Sequence, residues 1–359
     1  METVAHARVE PALVSVITPI YNRADLVVET LKSLSAQTMT AWECIVVDDG
    51  STDSSAEVIS SYARGDARVK FFARDRGPKG ACTCRNIAIE HSTGRYLLFL
   101  DSDDLLTPFC LQQRVEVMQS DPALDFAIFP LLLFDGEAGV ADKLWNIETG
   151  EDNLLRLLHL DPICQGTGTL WRRDSFTRMG MWDEDLAMWQ DIELHLRAFT
   201  GGYRFATRFD LPPDVLLRET GGSMSRGAYY SRVKLESRAS VVRKAVALLR
   251  EAGRSELIPE VRYLCSSVVL GAVSSGNLDL ARELRVWAAK EGVLTRRESW
   301  RLRLTELSRA SRLDRIRLVR RACDYFVSSF RTDSTVGLVR AATHLHEVQS
   351  KEKAVSNTA

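Results

Sequence analysis

The fold class this 359-residue sequence predicts is an α/β domain with a mostly parallel sheet, followed by an all-α region. Three observations carry it. Short apolar, β-branched runs alternate with stretches of helical periodicity over residues 12–228, and polar residues cluster just past the ends of the runs. From about residue 229, Gly and Pro thin out and helical spacing takes over. Strands alternating with helices at this interval form right-handed crossover units, whose strands run parallel and are covered on both faces.

The first run, residues 14–18 (VSVIT), ends at Pro19 and leads into 23–37, where Leu26, Val27, Thr30, Leu31 and Leu34 recur at helical spacing. Residues 44–47 (CIVV) form a second buried strand that stops at Asp48, Asp49, Gly50 and Ser51, ahead of a helix over 54–63. A third strand over 69–73 is followed by a loop with Gly77, Pro78 and Gly80, then a helix over 84–91. The fourth, 96–100 (YLLFL), ends at Asp101, Ser102, Asp103 and Asp104. Past the domain boundary expected near Gly227, residues 233–249, 257–270, 278–289 and 299–330 read as helices and 351–359 as a disordered tail. The stretch 275–282 is similar to the start of a helix-turn-helix repeat, but no second copy occurs at a fixed period. The expected division is a 1–228 α/β domain and a 229–359 helical domain.

With 45% hydrophobic and 26% charged residues the chain is an ordinary globular one, long enough for two cores. Lys and Arg (47) nearly cancel Asp and Glu (48), so the net charge of −1 gives no reason to expect nucleic acid as a partner. The seven cysteines are odd in number, scattered and without paired CxxC spacing, which reads as free thiols in a cytoplasmic protein; Cys82 and Cys84 are assigned no chemistry. Residues 1–11 lack an apolar signal core, and with no run of about 18 apolar residues, no bilayer-spanning helix is expected.

Open α/β sheets bind ligands beyond the carboxyl ends of their strands. Three loops, 18–22, 48–51 and 101–104, arrive at that edge. The carboxylates of Asp101 and Asp103 are hard oxygen ligands that suit Mn²⁺ or Mg²⁺. The same acids would equally serve as a helix cap and solvated charges ahead of Pro108.

The run VSVITPIYNRADLVVETLKSLSAQT, then VVDDGSTDSS, then RNIAIEHSTGRYLLFLDSDD, resembles in order and spacing the family 2 glycosyltransferases of the GT-A (Rossmann-like) fold. MWDEDLAMWQDIELHLRAF is similar to that family's segment with the catalytic carboxylate, and LLRETGGSMS to its C-terminal loop. The resemblance covers roughly residues 12–226. It implies an inverting glycosyltransferase that moves a sugar from a nucleoside diphosphate donor, UDP-sugar favoured, to a hydroxyl acceptor in polysaccharide or glycoconjugate synthesis, with divalent Mn²⁺ or Mg²⁺ as cofactor.

Carried over by position, the resemblance implies that Thr18, Pro19 and Tyr21 line the nucleotide pocket and Asp49 holds the base. Asp101 and Asp103 would contact the ribose and the metal-bound diphosphate. The chemistry agrees, since a tyrosine offers a stacking face, a carboxylate accepts from a pyrimidine N–H, and a cation neutralises a diphosphate leaving group. Tyr21 would alternatively pack on the core. Asp48 is expected to orient its turn, with Gly50 and Ser51 bending it. Of the basic loop residues, Arg85 is assigned to the donor, whereas Arg74, Arg76 and Lys79 read equally well as solvated charges.

Asp191 stands at the family's base position and would take the acceptor proton. Trp189 and His195 are acceptor candidates, although His195 would serve as well as a partly buried core histidine; Trp182 reads as core packing. Arg218, Ser223, Ser225 and Arg226 would fold over the diphosphate, with Gly221 and Gly222 as hinges. Where relatives often carry a histidine two residues after the loop arginine, this chain has Thr220, which leaves the ion to Asp103, the diphosphate and water. Two rival readings are a sugar nucleotidyltransferase, which usually has a glycine-rich basic loop where this chain has TPIYN, and a non-catalytic sugar-nucleotide-binding or scaffold protein. The presence of both Asp103 and Asp191 weighs against the second.

Ten arginines between 296 and 321 interleave with Leu302, Leu304, Leu307, Leu313, Ile316, Leu318 and Val319. Such a segment would make a peripheral contact with an anionic membrane, on the inner face, and would suit a lipid-linked acceptor. The alternative is a surface helix pair with arginines in water, and Glu298, Glu306 and Asp314 favour it by interrupting the basic face.

Overall fold

The computed structural model describes residues 12–134, 143–218, 229–311 and 313. In chain order the elements are β1 (Val14–Ile20), α1 (Val27–Ser35), β2 (Trp42–Asp48), α2 (Ser55–Gly65), β3 (Val69–Ala73), α3 (Ala81–Glu90) and β4 (Tyr96–Phe99). Next come β5 (Leu105–Leu106), α4 (Cys110–Ser120), β6 (Phe126–Ile128), β7 (Leu131–Phe134), β8 (Lys143–Leu144) and α5 (Asn153–Leu158). They are followed by β9 (Thr169–Arg172), α6 (Arg173–Arg178), α7 (Gln190–Thr200), β10 (Phe205–Thr207) and β11 (Val215–Arg218). The last helices are α8 (Arg232–Glu251), α9 (Arg262–Ser274), α10 (Leu278–Lys290) and α11 (Arg296–Ala310).

Two compact units emerge, and both are discontinuous in sequence: residues 130–165 and 185–203 group with the helices after 218, while 166–184 and 204–217 group with the N-terminal part. The single cut expected near Gly227 falls outside the described residues. The first unit is built on a seven-stranded sheet of order β10-β6-β9-β4-β1-β2-β3. It is mixed, because β9 runs antiparallel to both β4 and β6, whereas β4, β1, β2 and β3 are parallel.

β1 and β2 are buried along their whole length, as expected of central parallel strands covered on both faces. Pro19 is tolerated in β1 because pairing with β4 ends at Ile17 and Phe99, so the missing N–H costs no ladder bond on that side. Polar groups within this core are matched. Glu43 accepts from Ser15 Oγ (2.8 Å), Thr93 Oγ1 (2.9 Å) and Lys70 Nζ (2.8 Å). Burial raises its proton affinity, yet the Lys70 and Thr93 hydrogen bonds outweigh it and hold its pKa at about 2. Gly94 must be glycine, since a Cβ there would lie 2.5 Å from the Ser15 backbone nitrogen.

Farther along, Arg114 of α4 is wholly buried and pairs bidentately with Asp214 at 2.8 and 2.6 Å, while its Nη1 donates to the Thr167 carbonyl at 2.7 Å. These bonds join segments a hundred residues apart around one charge.

The second unit has a helical core. Leu154 and Leu157 of α5, Ile192 and Leu196 of α7, and the inward faces of α8, α9 and α10 form one apolar cluster. Residues Ser255–Ser274 are long and apolar enough to cross a bilayer, contrary to the expectation that no such stretch occurs. Leu264, Cys265, Val268, Val269 and Ala272 of this stretch are buried against the other helices, which accounts for its composition. Of the helices expected after residue 229, 233–249 and 278–289 are present at nearly those bounds as α8 and α10. The one expected over 257–270 is a 3-10 turn over Ser255–Val261 followed by α9, and the one expected over 299–330 is described as α11, which ends at Ala310. Residue 312 and those beyond 313 lie outside the described set.

Candidate functional site

Parallel alignment of β1, β2, β3 and β4 brings four loops to one sheet edge, and every acid expected to bind donor there is met by an arginine. Asp49, just past β2, accepts from Arg74 Nε at 2.7 Å and from the Gly80 amide at 3.1 Å. Asp101, past β4, accepts from Arg85 Nη2 at 2.7 Å. Asp103 lies 3.5 Å from Arg23 Nε. Arg74, left open as a solvated charge, is therefore part of the site. Arg23 was not singled out in the sequence, where its only signal is its place directly after the Tyr21-Asn22 pair.

The loops are tied to one another by hydrogen bonds. Asn22, in the left-handed region at φ 50°, accepts from the Thr52 amide at 2.8 Å and donates its own amide to Ser51 Oγ at 2.9 Å. Asp48 accepts from the Ser51 amide at 3.1 Å and from its hydroxyl, the turn-orienting role expected of it. Gly50, at φ 84°, supplies the bend. Thr18 is buried, its hydroxyl 3.8 Å from Cys44 Sγ, and Pro19 is part of β1, so both lie within the sheet just ahead of the 21–23 loop. Tyr21 is half-buried with Lys79 Nζ 3.8 Å over its ring, so one face of the ring carries an ammonium.

Arg85 is held in place from below. It is nearly buried, and its guanidinium lies 4.6 Å from the ring of Trp182. Trp182 packs edge-on to Phe99, as its core reading predicts. Asn86 fastens this floor, donating to the Trp182 carbonyl at 2.8 Å and accepting from the Trp182 amide at 3.1 Å. Arg76 bridges Glu90 (2.8 Å) and Glu184 (3.1 Å), so it serves the fold rather than solvent alone.

Asp101 and Asp103 fit a divalent cation. Burial first, then the charge of Asp101, pushes the Asp103 carboxyl above the usual carboxylate range despite the nearby Arg23. Two hard carboxylates in mutual repulsion are what a bound cation relieves. No group of three or more His, Cys, Asp or Glu that could hold an ion occurs among the described residues, so these two would need donor oxygens and water to complete a coordination sphere. The CxC thiols are not candidates. Cys82 and Cys84 are buried, and desolvation pushes Cys84 to about 12.

In the second unit, Asp191 stands half-buried in the first turn of α7, where the helix dipole favours a carboxylate. Trp189 caps that helix in the left-handed conformation at φ 62° and packs into the helical core, with Arg238 5.7 Å from its ring. Its expected acceptor-facing surface is mostly buried. His195 is corrected outright as an acceptor contact. It is fully buried, Nδ1 lies 2.7 Å from the Asp191 carbonyl, and desolvation drives its pKa down to about 4, so it is a neutral core histidine. Arg218 stacks 4.6 Å over Phe134. Thr220, Ser223, Ser225 and Arg226 lie outside the described residues.

Residues 15–180 match the model of the family described as Glycosyl transferase family 2. TuaG of Bacillus subtilis, a putative teichuronic acid biosynthesis glycosyltransferase, is 38% identical over 125 residues, 34% of this chain and 49% of that protein. Glycosyltransferase GlyG of Streptococcus pneumoniae is 29% identical over 163 residues, 45% of this chain and 52% of that protein. The matches thus span about half the length of these curated relatives. Among solved structures, S. aureus TarS 1–349 in complex with UDP-GlcNAc superposes with a TM-score of 0.57 at 19% identity, covering 87% of this chain and 91% of that one. The mannosyltransferase PcManGT from Pyrobaculum calidifontis, in complex with GDP-Man and Mn²⁺, gives 0.50 at 20% identity, covering 92% and 87%. At such identities the likeness is one of fold.

Proposed function

Residues 15–180 are a family 2 glycosyltransferase domain of the GT-A fold, and on that premise we propose that the chain transfers a sugar from a nucleoside diphosphate donor to a hydroxyl of a growing polysaccharide or glycoconjugate. The observation that carries this reading is the acid–arginine edge beyond β1, β2, β3 and β4. Three carboxylates, Asp49, Asp101 and Asp103, converge there with Arg23, Arg74 and Arg85. A nucleotide diphosphate presents both halves of the complementary pattern, N–H donors on the base and anionic oxygens on the phosphates.

Asp49 accepts from the base, with Tyr21 as the stacking surface once Lys79 moves to the phosphates. Arg85, already rigid on Trp182, directs its fork at the diphosphate, and Thr18 and Pro19 hold the floor. Asp101 and Asp103 are the residues that would hold Mn²⁺ or Mg²⁺, which supplies charge neutralisation for the departing diphosphate. Arg218, with Ser223 and Ser225, closes on the phosphates. Asp191 takes the proton of the acceptor hydroxyl as its oxygen bonds the anomeric carbon and the carbon–oxygen bond to the diphosphate breaks. That single displacement inverts the anomeric configuration.

UDP-sugar is the favoured donor, in keeping with TarS, whose complex contains UDP-GlcNAc, although PcManGT binds GDP-Man. The acceptor is a glycan or a lipid-linked glycan on the cytoplasmic side, reached through a peripheral lipid contact of the 296–321 segment. The test is calorimetric titration of UDP, GDP, CDP and dTDP, each with and without Mn²⁺, into wild type and Asp103→Ala. Selective, Mn²⁺-enhanced binding of one diphosphate, weakened in the variant, is the expected outcome. Absence of binding by all four in both conditions would remove the reading.

A further inference from the structure

α11 is the element whose chemistry the donor site leaves unused. Its inner face is committed to the helical core. Leu302 is fully buried, and Glu306 accepts from Arg285 Nε and Nη2 at 2.7 and 3.1 Å. Glu298 closes the start of the helix, accepting from the Thr295 amide at 2.8 Å and hydroxyl at 2.7 Å in a capping box. The two described acids that the sequence set against a continuous basic face are therefore turned to the core or spent on the cap. Asp314 lies outside the described residues.

The outer face has a different character. Trp300 is 55% exposed and Leu307 52%, and they stand two turns apart in one row with half-buried Leu304 between them. Arg296, Arg297 and Arg303, all exposed, fall within one turn of Trp300 on the same face, and neither acid of α11 lies on it. An apolar strip edged by guanidinium groups asks for two things at one depth, an apolar medium for the indole and leucine and anions for the arginines. A soluble polyanion meets only the second need, and an apolar protein groove only the first. The interface of a bilayer containing anionic lipid meets both, with indole at the headgroup boundary and arginine stems reaching outward from it.

We propose that the Trp300–Leu307 face of α11, edged by Arg296, Arg297 and Arg303, docks peripherally on a bilayer surface bearing anionic lipid. This rests on the lipid-contact part of the proposed function and is independent of the donor site. The test is co-flotation of the full chain with vesicles of phosphatidylcholine alone and of phosphatidylcholine mixed with phosphatidylglycerol. Binding is expected only to the mixed vesicles and should weaken on raising salt. The double variant Trp300→Ser, Leu307→Ser and the triple variant Arg296→Gln, Arg297→Gln, Arg303→Gln should each bind on the order of tenfold more weakly or worse. All substituted side chains are exposed except for their helix contacts, and unchanged thermal melts and unchanged nucleoside diphosphate affinity would verify that the rest of the protein is intact. No flotation of wild type overturns the proposal, as does flotation unaltered in either variant. So does binding of polyphosphate as tight as that of vesicles and indifferent to Trp300→Ser, which would mark a polyanion site. Loss of nucleotide binding everywhere with flotation intact would count against the transferase reading alone.

Discussion

Arg85 donates to Asp101 at 2.7 Å while its guanidinium rests on the ring of Trp182, so the arginine proposed to meet the donor and one acid of the proposed metal pair hold one another. Asp49 with Arg74, and Asp103 with Arg23, repeat the arrangement. An edge built this way balances each carboxylate with a guanidinium. On the proposed function, such an edge would take up a diphosphate and a divalent cation together more readily than either alone, the arginines turning to phosphate and the carboxylates to the ion.

That coupling sets the first prediction. Arg85→Lys keeps the charge but loses the planar fork and the stacking on Trp182. Donor diphosphate affinity measured by calorimetry with Mn²⁺ should fall about tenfold, roughly 1.4 kcal/mol, with little change in melting temperature. An unchanged affinity would take Arg85 out of the donor site.

Asp191→Asn removes the proposed base without changing shape. Turnover should drop by about 10²–10⁴-fold while donor affinity stays within about twofold of wild type. Steady-state kinetics beside calorimetry separates the two quantities, and parallel loss of both would withdraw the assignment.

The buried Arg114–Asp214 pair is a matter of stability. Arg114→Met alone leaves a carboxylate buried without its cation and should cost about 3–5 kcal/mol in urea unfolding. Adding Asp214→Leu should recover most of that loss, because the remaining cost is then packing and the carbonyls left by the guanidinium. If the double variant is no better than the single, charge burial is not the cause.

His195 gives a pH dependence of known sign. Its pKa is about 4 in the fold against 6.5 in the unfolded chain, so the unfolded state binds the proton more readily between those values. The stability it contributes is complete above pH 6.5 and is lost as pH falls from there towards 4. Urea midpoints across this range should fall less steeply for His195→Gln than for wild type, and parallel slopes would contradict the burial argument.

The parallel part of the sheet was legible because a strand buried on both faces must be apolar throughout, as VSVIT, CIVV and YLLFL are, and because each ends in an abrupt run of polar residues. β9 was not seen as a sheet member. TLWR is short, and its antiparallel place between β4 and β6 depends on pairing partners more than forty residues away. Among site residues, Asp48 was legible from local turn chemistry, since its contacts lie three residues on. The partners of Asp49, Asp101 and Asp103 were not, as they come from the loop after β3, from α3 and from the loop after β1, and pairing between distant segments leaves no mark on spacing. His195 shows the reverse limit. Helical phase placed it one turn from Asp191, but only the packing of the surrounding helices decides that this turn faces the core. The acids of α11 misled for a related reason, because a glutamate read along the chain as interrupting a basic face is spent on a cap or a buried arginine.

The Arg114–Asp214 bond also bears on how such a chain can be exchanged or inherited as a module. The match to the family model stops at residue 180, yet the charge buried in α4 is neutralised from residue 214, and the outermost strand, β10, is supplied by residues 205–207. A recombination joint placed at residue 180, where that match ends, would strand a guanidinium in the interior and strip the sheet of an edge. The portable unit of this fold therefore runs past the intervening α7 segment to at least residue 214, and the carboxylate proposed as the base travels with it.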